Sequence, residues 1–228
     1  RSVGHRRPTT RSSLRVRRRR LKLLAPREAY ARWAADYPPV AHNELMRTEE
    51  QAVLPLLPIT SGRSVLDAGC GTGRYLSRFH DASRAVGVDN SPQMLAEAGR
   101  AFPWAELVVA DVRAMPLSDA SFDVAVCGLC LGHLPTLDAP LAELARVLVP
   151  GGVLVWSCFH PFGAWAGWQR TLPDGKHAVE WTAHAYEDHH RAARAAGLVV
   201  DDVREPRGLT SDGSRRPLVL VVRAHRSY

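Results

Sequence analysis

Long apolar runs are missing from this chain. No segment reaches the roughly 18 to 20 uninterrupted apolar residues that a membrane-spanning helix needs, so it reads as a soluble, cytoplasmic protein. Cysteine is scarce as well. Four thiols in 228 residues, Cys70, Cys127, Cys130 and Cys158, are too few for a disulfide scaffold and point to a reducing compartment. Acidic residues are absent from positions 1–22, which hold nine Arg and one Lys. Ten of the 30 basic residues therefore sit in that arm, leaving 20 against 23 acidic residues in the remainder. The formal charge of +7 describes the arm, and the body is mildly acidic.

An arm without acids or apolar periodicity cannot bury enough surface to order itself, so residues 1–22 are expected to be disordered and outside the fold. Three readings of it stay open: an organelle-targeting segment, an electrostatic tether to nucleic acid, or a stretch upstream of the true start. The whole chain is 46% hydrophobic, enough for one well-buried domain and incompatible with wholesale disorder.

Residues 23–60 carry two helical patches, broken by Pro38-Pro39, that form an N-terminal helical cap. The domain proper, 61–228, alternates short apolar runs with helical patterns. Strands are expected at 64–68, 85–88, 107–110, 122–127, 153–158, 198–203 and 218–224. Helices are expected at 74–80, after Ser91-Pro92 (a cap followed by a first-turn proline), after Asp138 as a cap, and at 185–196. This alternation gives right-handed β-α-β crossovers and a doubly wound, Rossmann-like, seven-stranded mostly parallel sheet. No helix separates the last two strands, which should form an antiparallel hairpin, placing the antiparallel final strand at one edge.

The run ValLeuAspAlaGlyCysGlyThrGlyArgTyr (65–75) sets Gly69-x-Gly71-x-Gly73 between a strand and the following segment. Glycines there let the backbone turn sharply and approach a ligand. The spacing is not the G-x-G-x-x-G of dinucleotide binders, and no Lys-Ser/Thr follows as in a P-loop. With GlyValAspAsnSerProGlnMet (87–94), AlaAspValArgAlaMetProLeu (110–117), SerPheAspValAlaValCysGlyLeuCysLeuGlyHisLeu (121–134) and ArgValLeuValProGlyGlyValLeu (146–154), it resembles the ordered motifs of class I S-adenosylmethionine (SAM)-dependent methyltransferases. The pattern is most similar to the small-molecule branch that includes the ubiquinone/menaquinone-biosynthesis enzymes.

That resemblance implies SAM as cofactor, S-adenosylhomocysteine (SAH) as its product, and transfer of a methyl group to O, N or C of a small organic acceptor. It implies that Asp67, Gly69, Cys70, Gly71 and Gly73 hold the methionine moiety. Asp89, with Asn90 beside it, would accept from the ribose hydroxyls. Met94 would pack on the adenine, with Asp111 and the Val112 N–H at its edge and Cys127 behind the cofactor. Tyr30 and Tyr37 of the cap would either close over the methionine end, where an aromatic face stabilises a sulfonium, or staple the cap to the sheet.

Candidate general bases lie just past strand ends, where open α/β sheets bind ligands. His133 and His160 meet that condition. The loop 160–182 carries Trp165, Trp168 and Trp181. It reads as an apolar lid over the acceptor side, which would favour an apolar or aromatic acceptor, or as a loop folded on its own cluster. Cys127-x-x-Cys130 lacks a second pair and reads as core. His189 and His190 would point about 100° apart on a helix, so they and His184 read as solvated residues, and no metal is expected. Nucleic acid as substrate is a weaker alternative, because the fourth strand ends in CysGlyLeuCys rather than Asn/Asp-Pro-Pro-Tyr. A non-catalytic SAM-binding protein is another.

Overall fold

The structure, a computed structural model, describes residues 21–228. The expected arm thus lies outside the described residues, apart from Leu21 and Lys22. Lys22 is already a strand residue: β1 (Lys22–Leu24) leads into the cap helices α1 (Pro26–Trp33) and α2 (Glu44–Val53). Then come β2 (Ser64–Ala68), β3 (Arg84–Asp89), α3 (Pro92–Ala101), β4 (Glu106–Val109), β5 (Phe122–Gly128), α4 (Asp138–Val147) and β6 (Leu148–Phe159). The remaining elements are α5 (Phe162–Trp165), β7 (Arg170–Thr171), β8 (His177–Val179), α6 (Tyr186–Ala195), β9 (Leu198–Arg204), β10 (Arg207–Leu209), β11 (Arg215–Pro217) and β12 (Val219–Arg226).

Seven strands form one sheet in the order β4-β3-β2-β5-β6-β12-β9. The pairs from β4 to β6 are parallel, and β12 is antiparallel to both its neighbours. The antiparallel last pair stands at one edge as expected, with the final strand as its inner member and β9 outside it. Side chains alternate across the sheet with period two. Val124 and Val126 of β5, with Val153 and Val155 of β6, face the core shared with α2, while Ala125, Cys127, Leu154 and Trp156 face the core shared with α4 and α6. A strand buried on both faces must be apolar throughout, which is why β5 and β6 were legible.

Three local expectations need correction. Residues 74–80 form no α-helix, only a 3-10 turn at Leu76–Arg78, because the consecutive residues Arg74, Tyr75 and Leu76 are all buried, which a helix packed by one face cannot achieve. Asp138 does not cap α4. Leu137 holds the cap position without a side-chain bond, and Asp138 in the first turn pairs with Arg191 at 2.7 Å. His189 is not solvated: it is fully buried, and its Nδ1 accepts the Trp156 indole N–H at 2.9 Å. His189, Ala192 and Ala193 form the inner face of α6, and the small alanines leave room for the imidazole against Trp156. His184 precedes that helix, is buried, and its Nε2 donates to the Leu134 carbonyl at 2.9 Å.

The stretch 160–182 is partly regular. It contains α5 and the β7–β8 pair, to which β1 adds in parallel, giving a small sheet in the order β1-β8-β7. That sheet ties the start of the cap to the insertion after β6. Among the described residues no helix is long and apolar enough to cross a membrane.

Candidate active site

A cavity opens at the carboxyl ends of β2, β3 and β5, roofed by the cap and by β7. Its floor is the glycine turn. The Gly69 and Cys70 N–H groups donate to the Val88 carbonyl at 2.7 and 3.0 Å, stapling the turn to β3. Gly69 has φ of 71°, and a Cβ there would lie 2.4 Å from Cys130 Sγ, so glycine is required on both counts. Gly71 also has positive φ, 55°, but its Cβ would meet nothing within 4 Å. The backbone there is bare toward the cavity.

Asp89 ends β3 and reaches back to this turn. Its Oδ2 accepts the Gly71 N–H at 2.9 Å and its Oδ1 the Ser91 N–H at 2.8 Å. Burial raises its pKa against the pull of those N–H groups. Each oxygen keeps a lone pair for a further donor. Ser91, as expected, caps α3, accepting from the Met94 N–H at 3.3 Å, with Pro92 in the first turn.

Asp67, the fourth residue of β2, is buried, and its Oδ2 has no hydrogen-bond partner among the described residues. Burial pushes its pKa up to about 7, with the Arg74 guanidinium acting in the opposite direction. An orphaned carboxylate oxygen facing a cavity is costly unless a donor or cation arrives. Beyond Asp89 the wall continues through Asn90, Met94, Asp111 and Val112. The Asp111 carboxylate is clamped by Arg113, through its N–H and Nε at 2.9 Å each and Nη2 at 2.6 Å. This hydrogen bonding holds it below the usual carboxylate range.

The opposite wall is aromatic. Tyr30 donates its hydroxyl to His133 Nε2 at 2.9 Å, and His133 Nδ1 lies 3.0 Å from the Glu180 carbonyl. The carbonyl can only accept, so the ring proton sits on Nδ1 and the Nε2 lone pair is taken by Tyr30. Burial, reinforced by Arg170, lowers the His133 pKa to about 4. Tyr37 accepts from Arg170 Nη2 at 2.6 Å.

Of the residues singled out in the sequence, Asp67, Gly69, Cys70, Gly71, Asp89, Asn90, Met94, Asp111, Val112, Tyr30, Tyr37 and His133 all line this cavity. Three others do not. Gly73 is needed for packing, since a Cβ there would lie 2.7 Å from the Phe102 ring. Cys127 points into the core below the sheet. His160 is turned away: its Nδ1 accepts the Phe162 N–H at 3.1 Å and its Nε2 faces Glu205 at 3.2 Å. The tryptophans of 160–182 do not line the cavity either. Trp168 packs on Phe162 and Trp181 on Phe159, while Trp165 is exposed, so the loop folds on its own clusters instead of presenting a tryptophan lid.

Two features escaped sequence reasoning. Arg170, in that same loop, lines the cavity, and nothing in its neighbours singles it out. Glu49 of α2 is fully buried, pairing with Arg74 at 2.7 Å and accepting from Ser157 Oγ at 2.6 Å. Its signal was available: Met46, Glu49, Ala52 and Val53 share the inner face of α2, and an acid on an apolar stripe must have a partner. Among the described residues no group of three or more His, Cys, Asp or Glu could hold a metal ion.

The span running from the glycine turn's strand to the middle of β6, residues 66–156, matches the family of the methyltransferase domain. The malonyl-[acyl-carrier protein] O-methyltransferase of Enterobacter lignolyticus is 38% identical over 130 residues, covering 57% of this chain and 51% of that protein. The chain thus spans about half the length of such relatives. Among solved structures, an S-adenosylmethionine dependent methyltransferase from Mesorhizobium loti superposes with a TM-score of 0.66 at 24% identity, covering 78% of this chain and 98% of that one. The N-methyltransferase NodS from Bradyrhizobium japonicum, solved with SAH, gives 0.64 at 18% identity, covering 82% and 90%. These likenesses agree with the fold expected from the strand pattern, and the domain match agrees with the resemblance carried by the motifs.

Proposed function

We propose that the chain is a SAM-dependent methyltransferase acting on a small organic acceptor, with SAH as the second product. The observation that carries this reading is the pair of buried acids at adjacent strand ends. Asp89 is braced by the Gly71 and Ser91 N–H groups, and the Asp67 carboxylate oxygen has no partner. A cofactor with an amino-acid ammonium, a sulfonium and a ribose diol, and with no phosphate, suits acids and bare backbone rather than a basic cradle. When bound, it supplies an electrophilic methyl group on a sulfonium.

In this reading Asp67 receives the cofactor's ammonium, and the bare backbone at Gly71 lets its methionine portion lie close. Asp89, with Asn90 beside it, accepts from the ribose hydroxyls with its remaining lone pairs. Met94 packs against the adenine, and Asp111 and the Val112 N–H meet its edge, Asp111 through the lone pair that Arg113 leaves free. Tyr30 and Tyr37 cover the methionine end from the cap.

His133 is a positioning residue in this reading. Its Nε2 lone pair is engaged and its ring is neutral near pH 7, so it fixes the Tyr30 hydroxyl instead of removing a proton. No proton-transfer role is assigned to His160, which faces Glu205 away from the cavity. Holding two reactants in line is then the main contribution to rate, and an acceptor that arrives already nucleophilic suits the site best. Four free thiols support a cytoplasmic, reducing setting.

Incubation with SAM carrying a labelled methyl group and a panel of small carboxylic acids, phenols, quinols and amines tests the reading. SAH should appear in step with one labelled product. Failure of the chain to bind SAM at all would refute it.

A further inference from the structure

Arg170 is a cation in an unusual place. Its guanidinium carbon lies 5.4 Å from the Tyr30 ring centroid, 5.6 Å from Trp33, 5.9 Å from Tyr37 and 5.5 Å from Phe159. Nη2 donates to the Tyr37 hydroxyl, but Nε is shielded from solvent and has no hydrogen-bond partner among the described residues. No carboxylate there forms a salt bridge with it. Aromatic faces relieve part of the cost of enclosing a guanidinium, yet they cannot satisfy its planar fork of donors, which matches a carboxylate.

The position is also fixed in advance. Arg170 begins β7 and pairs with Val179 of β8, which in turn pairs with Leu24 of β1. These residues lie outside the span 66–156, which supplies Asp67, Asp89 and the glycine turn. The cavity therefore has an acidic floor from the methyltransferase domain and a cationic wall from the insertion and cap. A ligand ammonium at the floor and a ligand carboxylate at the wall would match it.

We propose that the acceptor carries a carboxylate and that Arg170 is the group that receives it, a specificity that rests on the methyltransferase reading of the same cavity. A carboxylate arrives ionised, which accords with a site whose imidazole lone pair is already engaged by Tyr30. It narrows the expected apolar or aromatic acceptor: the rings around Arg170 accept the apolar part of the molecule, and the guanidinium its charged end.

Ligand-observed NMR titration of the SAH-saturated protein with benzoate and hexanoate, against benzamide and hexanamide, tests this. The carboxylates should bind at least about tenfold more tightly than their amides, the scale of a charge-assisted hydrogen bond. Arg170→Gln should remove that preference while leaving SAH affinity within about twofold, and Arg170→Lys should retain part of it. Equal binding of acids and amides by the unmodified protein overturns the proposal without reference to any variant. So does a tenfold loss of SAH affinity in Arg170→Gln with 5′-methylthioadenosine binding unchanged, which would assign Arg170 to the cofactor's own carboxylate. Absence of SAH binding by the unmodified protein would instead remove the cofactor reading, and this proposal with it.

Discussion

Cofactor affinity should depend on pH through Asp67. In the free protein its carboxyl is buried with one unpartnered oxygen, and its pKa stands at about 7. A ligand ammonium can pair only with the ionised form. Each pH unit below 7 should therefore weaken SAH binding by about tenfold, ~1.4 kcal/mol, so that affinity at pH 5 is roughly 100-fold below its plateau above pH 8. The sign for stability follows from the same shift. The folded pKa lies above the unfolded one, so the fold favours the protonated carboxyl. That contribution is fully present below about pH 4 and is lost as pH rises to about 7. The free protein thus carries a penalty at neutral pH that a cationic ligand relieves. Isothermal titration of SAH from pH 5 to 8.5, in buffers of different ionisation enthalpy, would read both the slope and the release of about half a proton near pH 7. Asp67→Asn should flatten the profile. A flat profile in the unmodified protein, or an unchanged slope in Asp67→Asn, would refute the reasoning.

Removing Glu49 should test what anchors the cap. Glu49→Ala leaves Arg74 buried without its partner at 2.7 Å and should lower unfolding free energy in urea by about 3–5 kcal/mol, whereas a loss under 1 kcal/mol would show the pair to be idle. Two of the positive-φ glycines, Gly69 and Gly71, should separate by phenotype. Gly69→Ala meets Cys130 Sγ and should unfold at markedly lower temperature. Gly71→Ala meets no atom and should cost about 1–2 kcal/mol of left-handed strain while reducing SAH affinity more than tenfold, because the methyl group fills space reserved for ligand.

Much of the fold was legible because its strands are apolar on both faces and its turns carry glycine where positive φ is needed. The strands around β5 and β6 and the Ser91-Pro92 helix start follow from local chemistry. So does the placement of Asp67, Asp89 and the glycine turn, since all three lie within one β-turn-β neighbourhood. What was not legible depends on distant parts of the chain. Residues 74–80 have helical texture, but the buried Glu49, twenty-five residues upstream, draws Arg74 inward. His189 looks solvated until Trp156 is brought beneath it. The tryptophans of 160–182 attracted attention as a lid, yet the cavity takes Arg170 from that loop, because β1 and β8 hold β7 over the aromatic cap. Sequence spacing cannot reveal a pairing that joins residue 22 to residue 177.

The central claim is that this cavity holds SAM through the acids at the ends of β2 and β3. Calorimetric titration of SAH into the full chain and into Asp89→Ala tests it most directly. The account predicts one site per chain for the former, and for the latter no measurable binding alongside retained circular dichroism. Undiminished binding by Asp89→Ala would contradict it.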